Sequence, residues 1–117
     1  MSAVLLDTVL DPGRELPVAE YIEALEVAEA FRAHLDDISR DVDVLLTPSA
    51  AGEAPEGLGS TGNPAFNSTW TLAWTPCVTL PAGTGPKGLP LGVQLVGQRF
   101  ADERLLDAAA WVEGKLS

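Results

Sequence analysis

Few residues of this sequence could do chemistry, and they are scattered. Cys77 lies between Pro76 and Val78. A thiol there is either a nucleophile or a small hydrophobe, and its apolar flanks predict a buried, inert one. His34 is the single histidine, close to Asp36 and Asp37 on a helical stretch with no neighbouring nucleophile. It reads as an exposed surface residue rather than a general base, and alone it cannot build a metal site. No cofactor is called for. Asp102, Glu103 and Asp107 could act as paired carboxylates. Capping and the helix dipole account for the first two. Gly83, Gly85 and Gly88 imitate a phosphate loop, but the Lys-Ser/Thr pair and the following helix are missing, so a turn explains them. The strongest candidate is the stretch 59–71, which gathers Ser60, Thr61, Asn67 and Trp70. Against it stands a packing alternative: Phe66, Trp70 and Trp74 fall four residues apart, as the core stripe of a short helix would.

These residues need elements to hold them. Residues 1–16 form a poorly defined N-terminal stretch ending in the turn signal Asp11-Pro12-Gly13. A helix is predicted from Pro17, suited to a first helical position, to Ser39. Its apolar stripe is Val18, Ile22, Leu25, Ala28, Phe31, Leu35 and Ile38, with glutamates largely off it. Val42–Thr47 reads as a strand stopped by Pro48, and 49–67 as a long loop, a length that is usually functional or disordered. A short helix over Phe66–Trp74 follows. Strands Cys77–Leu80, ended by Pro81, and Leu91–Gly97 make a hairpin through the turn residues 82–90. Asp102 is the N-cap of a last helix reaching Leu116, with Leu105, Ala109, Val112 and Leu116 buried. The apolar strands suggest a sheet covered on both faces. Two long helices cover only one. The expected missing cover is another polypeptide segment or a second copy of this chain.

Composition sets the class. The chain has 117 residues, 46% of them hydrophobic and 21% charged, which is globular and fits a single domain or a piece of one. Seven basic residues against 17 acidic ones give a net charge of -10. No basic patch can neutralise phosphates, so neither nucleic acid nor an anionic membrane is an expected partner. One cysteine allows no internal disulfide, and Met1–Gly13 has neither a basic leader nor an unbroken apolar run. A cytoplasmic location is the expectation.

Four motifs in order then carry a resemblance. Asp43-Val44-Leu45-Leu46-Thr47-Pro48 matches an Asp-apolar-apolar-apolar-x-Pro strand. Thr75 to Gly83 parallels a Gly-x-Pro-Ala-x-Ser-x-Pro-x-Gly strand. Gly88-Leu89-Pro90-Leu91-Gly92-Val93-Gln94-Leu95-Val96-Gly97 is close to Gly-Leu-Pro-x-Gly-apolar-Gln-apolar-apolar-Gly. Asp102-Glu103-x-Leu105-Leu106 opens the last helix. Together they resemble the C-terminal segment of the amidase-signature family, over about residues 17–117, and imply an α/β piece of that fold: about three strands of a mixed sheet with two long helices and one short one. Gly62–Leu72 is similar to a subgroup of general bacterial amidases and differs from the transfer-RNA-dependent amidotransferase branch. Thr71 stands where many relatives carry Asn, and Trp74 where many carry Gly.

The resemblance implies hydrolysis of carboxylic amides by a Ser, a second Ser in a cis peptide and a Lys, with backbone amides holding the oxyanion. The Gly-Ser-x-Gly-Gly-Ser loop that carries them has no counterpart here. Gly59-Ser60-Thr61-Gly62 is a superficial echo, and Lys87 and Lys115 stand elsewhere. No catalytic residue carries over. The implied role is sheet completion and one wall of the substrate pocket, where Thr61 and Asn67 would hydrogen-bond a small-molecule amide and Trp70 would give apolar surface. An N-terminal amidase segment or a homo-oligomer is the implied partner. The alternative is a non-catalytic remnant that self-associates or binds a partner.

Overall fold

A computed structural model describes residues 10–116. The expectations for residues 1–9 lie outside the described residues. The chain divides into two compact units, one ending at Phe31 and the other beginning at Arg32.

In the first unit, Asp11-Pro12-Gly13 is not a turn but part of a short helix, α1, Asp11–Glu15. Pro12 fits because the first helical N–H groups have no intrahelical partner to lose, and Arg14 pairs with Asp11 at 3.1 Å one turn away. The long helix α2 spans Val18–Ile38 and continues into the second unit. Pro17 stands just outside it, its carbonyl accepting the Tyr21 N–H at 3.1 Å. The predicted stripe is real as a pattern but mostly uncovered: Ala28 and Leu35 are buried, whereas Val18, Ile22, Leu25 and Ile38 are exposed.

The second unit is built on three strands: β1 Leu45–Pro48, β2 Cys77–Thr84 and β3 Pro90–Val96. Their order is β1-β3-β2, with both pairings antiparallel. The expected hairpin joins β2 and β3. β1 does stop at Pro48, its last residue, whereas Pro81 does not end β2. Both are paired, with Val93 and Gly92 respectively, and β2 runs on to Thr84 through an irregularity between Pro81 and Gly83. Proline is tolerated because β1 and β2 are edge strands, where a missing donor breaks no ladder on the outer side.

Directly paired residues share a face. Leu46, Leu95 and Val78 lie on one, with Leu80 and Val93. Helix α4, Asp102–Leu116, packs on the β2 and β3 part of it. Leu80, Leu95, Leu105 and Ala109 form the core, with Val112 against it. Leu116, expected there, is exposed, and Asp102 is the first helical residue rather than the cap. The other face carries Thr47, Gln94 and Thr79. There Gln94 is 3% exposed and donates to the Phe66 carbonyl at 2.9 Å and to Thr47 Oγ1 at 3.2 Å. These bonds tie the short helix α3, Ala65–Ala73, to the sheet. Among the described residues, no helix is long and apolar enough to cross a membrane.

Candidate functional site

A concavity of about 800 Å³ opens between the loop after β1 and the β2–β3 hairpin. Its walls include Ser49, Glu53, Thr61, Asn67, Thr79 and Gly92. The loop is held by its own chemistry. Glu53 Oε1 accepts the Lys87 N–H at 2.9 Å and the Leu89 N–H at 3.0 Å, pinning the loop to the hairpin turn. A charged acceptor taking two main-chain donors makes a stronger tie than neutral bonds do. At the floor, Ser49 extends the β1–β3 ladder by donating its N–H to the Gly92 carbonyl at 3.2 Å. Gly92 permits that approach, since a Cβ there would lie 2.5 Å from Ser49 Oγ. Ser49 Oγ is buried and has no hydrogen-bond partner among the described residues.

Two of the three residues expected to contact substrate meet at this concavity. Thr61 and Asn67 line it, both exposed, and Asn67 Nδ2 donates to the Ser49 carbonyl at 3.3 Å. Trp70 does not line it. It is half-buried further along α3, its carbonyl accepting from Thr75 N at 3.2 Å and Thr75 Oγ1 at 3.3 Å. Nor are the aromatics a core stripe: Phe66 and Trp70 are half-buried, Trp74 is exposed, and the buried residue of α3 is Ala73. Ser60 Oγ accepts the Gly62 N–H at 3.1 Å. Lys115 Nζ lies 5.5 Å from the centroid of the Trp111 ring on α4.

Cys77 corrects the sequence reading. Its side chain is exposed rather than buried. Desolvation by its neighbours still pushes the thiol above its ordinary range, against a weaker opposing pull from the hydrogen bond to Thr75. Exposure alone therefore does not make it a good nucleophile, because little thiolate is present at neutral pH. His34 is exposed, as expected.

Three positioning residues escape a reading of the sequence. Gln94 is visible there only as a motif letter, and Glu53 only as an acidic residue in a loop. Arg32 looks like a polar residue off an apolar stripe, yet it is 6% exposed. Its Nε donates to the Leu72 carbonyl at 2.9 Å, and its guanidinium sits 3.7 Å from the Trp74 ring centroid. Trp74 ends α3 in the left-handed conformation, φ 60° and ψ 30°. That geometry favours glycine, the residue the resemblance leads one to expect there.

The family model for amidases matches residues 9–106, more than half of the chain. The chain belongs to the amidase family. Among curated amidase relatives it is 34% identical over 102 residues to a glutamyl-tRNA(Gln) amidotransferase polypeptide of Wolinella succinogenes, covering 81% of this chain and 22% of that one. It is 36% identical over 112 residues to the putative amidase AmiD of Mycobacterium bovis, covering 87% and 23%. A crystal structure of an amidase superposes on all of this chain, and on 29% of its own, with a TM-score of 0.85 and 28% identity. The chain thus spans between a fifth and a quarter of the length of these curated relatives. Overall identity is nearly the same to the amidotransferase and to the putative amidase.

Proposed function

We propose that this chain is the C-terminal portion of an amidase-signature hydrolase acting on small carboxylic amides, one segment that completes part of the sheet and forms one wall of the substrate site. The nucleophile and proton relay come from polypeptide outside it. The observation that carries this reading is the meeting of Thr61 and Asn67 on one concavity, in a chain whose whole length superposes on part of an amidase. Asn67 offers both a donor and an acceptor to an amide, and Thr61 a hydroxyl. Trp70 serves behind them, fixing α3 rather than touching substrate. Ser60 is engaged with its own turn and has no lysine beside it in the sequence, so it is not assigned as a nucleophile.

The test is ammonia release from small amides. The purified chain alone is expected to show none. Mixed with an AmiD polypeptide lacking the matching segment, it is expected to restore turnover, with Asn67→Ala and Thr61→Val raising KM. Turnover by the chain alone that Ser60→Ala abolishes would overturn the proposal.

A further inference from the structure

The concavity that holds Thr61 and Asn67 has two sides. The loop after β1 supplies one, through Ala50, Ala54 and Pro55, and the β2–β3 hairpin supplies the other, through Pro81, Pro90 and Leu91. The loop is fastened at its base, where the Ser49 N–H reaches the Gly92 carbonyl and Asn67 Nδ2 reaches the Ser49 carbonyl. Further out, the tie to the hairpin is Glu53. The hairpin turn is shaped to receive it. Gly85 donates its N–H to the Leu89 carbonyl at 2.9 Å, and Gly88 donates to the Gly85 carbonyl at 3.0 Å. Gly88, at φ 81°, turns the chain so that the N–H groups of its two neighbours, Lys87 and Leu89, converge on the single oxygen Glu53 Oε1. Paired main-chain donors of this kind form a nest for an anion, and here the anion is the chain's own. Gly85 leaves the room: a Cβ there would lie 2.5 Å from Glu53 Cγ, Cδ and Oε1.

We propose that Glu53 is a positioning residue that makes the site select amides by size. Its carboxylate latches the loop side of the concavity to the hairpin side, and releasing it widens the space between them. This rests on reading the concavity as a wall of an amide-binding site. A direct contact between Glu53 and substrate is the poorer fit, because Oε1 is already spent on two donors. The lining residues include no Lys, Arg or His, so no cation within the concavity draws the carboxylate away from the turn. Gly85 offers an independent handle on the same latch. Its φ is not positive, so alanine there meets no left-handed strain and collides with Glu53 alone. The far end of that side chain then swings off the turn.

Nuclear magnetic resonance on the full chain tests the latch. Glu53→Ala and Gly85→Ala are each expected to speed amide exchange at Lys87 and Leu89 and to move the Thr61 and Asn67 resonances. Adding Gly85→Ala to Glu53→Ala changes nothing further, since the two act through one contact. Thr61 and Asn67 resonances unmoved in both single variants overturn the proposal. Ammonia release by the mixture with the AmiD polypeptide tests the selection. The wild-type mixture is expected to prefer acetamide to benzamide, and each single variant to lower that preference about tenfold by raising the acetamide KM, with kcat held within about twofold. Glu53→Gln recovers most of the preference, because its carboxamide oxygen still accepts both N–H groups. Leu58→Ser, an exposed change in the same loop but outside the concavity, keeps all of it. A fall in kcat at unchanged KM, or Glu53→Gln no better than Glu53→Ala, overturns the proposal. Should the AmiD polypeptide fail to fold, this chain replaces the matching segment of AmiD and the same comparison is made. A wild-type mixture that releases no ammonia, with the resonances moving as stated, counts against the functional reading and supports Glu53 as the residue that shapes the concavity. An active mixture whose preference ignores both substitutions counts against the latch alone.

Discussion

Trp74 holds a backbone conformation that costs a residue with a Cβ about 1–2 kcal/mol. Its ring recovers part of that by stacking on the Arg32 guanidinium, a contact worth about 0.5–1 kcal/mol when exposed and about 2 when desolvated. The two effects nearly cancel, which predicts an unusual ordering. Trp74→Gly removes both the strain and the stacking, and is expected to shift stability by under about 1 kcal/mol. Trp74→Ala keeps the strain and loses the stacking, and is expected to be the less stable of the two by about 1 kcal/mol. Urea unfolding of both variants checks this; equal midpoints would mean that the strain is not felt.

At the scale of elements, Gln94 decides whether α3 stays on the sheet. Gln94→Leu removes two donated bonds at a buried site and leaves the Phe66 carbonyl without its donor. The expected cost is about 1–3 kcal/mol, with amide exchange accelerated in α3 more than in α4. Uniform acceleration would show that Gln94 acts on the whole unit instead. The elements themselves are largely legible in the sequence: apolar spacing in Leu105, Ala109 and Val112 marks α4, and the alternation around Leu95 marks β3. Punctuation misleads. Proline at 12 signals a turn and at 81 a stop, but Pro12 occupies a helix start and Pro81 an edge strand, where the missing donor is harmless, whereas β1 does end at Pro48. Of the candidate site, Thr61 and Asn67 are legible as polar residues in one loop-rich stretch. Ser49, Glu53 and Arg32 are not, because their roles depend on partners between 34 and 43 residues distant in the chain, where local pattern carries no information.

For the whole molecule, exposed apolar side chains and a charge of -10 pull in opposite directions. Val18, Ile22, Leu25, Leu46, Leu106 and Trp111 all present large apolar surface, the kind that drives association. Like charge opposes it until salt shortens the Debye length from about 10 Å at 0.1 M to about 3 Å at 1 M. The chain is therefore expected to bind an apolar dye as a monomer at low salt and to associate as salt rises, with Leu46→Lys barely affecting that loose association. Sedimentation across a salt series measures it; a monomer that binds no dye under any condition would contradict it.

The placement of β3 between two strands made before it also fixes the order of events during synthesis. As the chain leaves the ribosome, β1 emerges well before β3, its partner in this sheet, and the loop, α3 and β2 follow first. Only once Pro90–Val96 is clear of the exit tunnel can either neighbour acquire its ladder. These three strands cannot settle into their sheet piecemeal, so a pause or a cut anywhere before Val96 leaves β1 and β2 without the strand that joins them, ready prey for chaperone or protease.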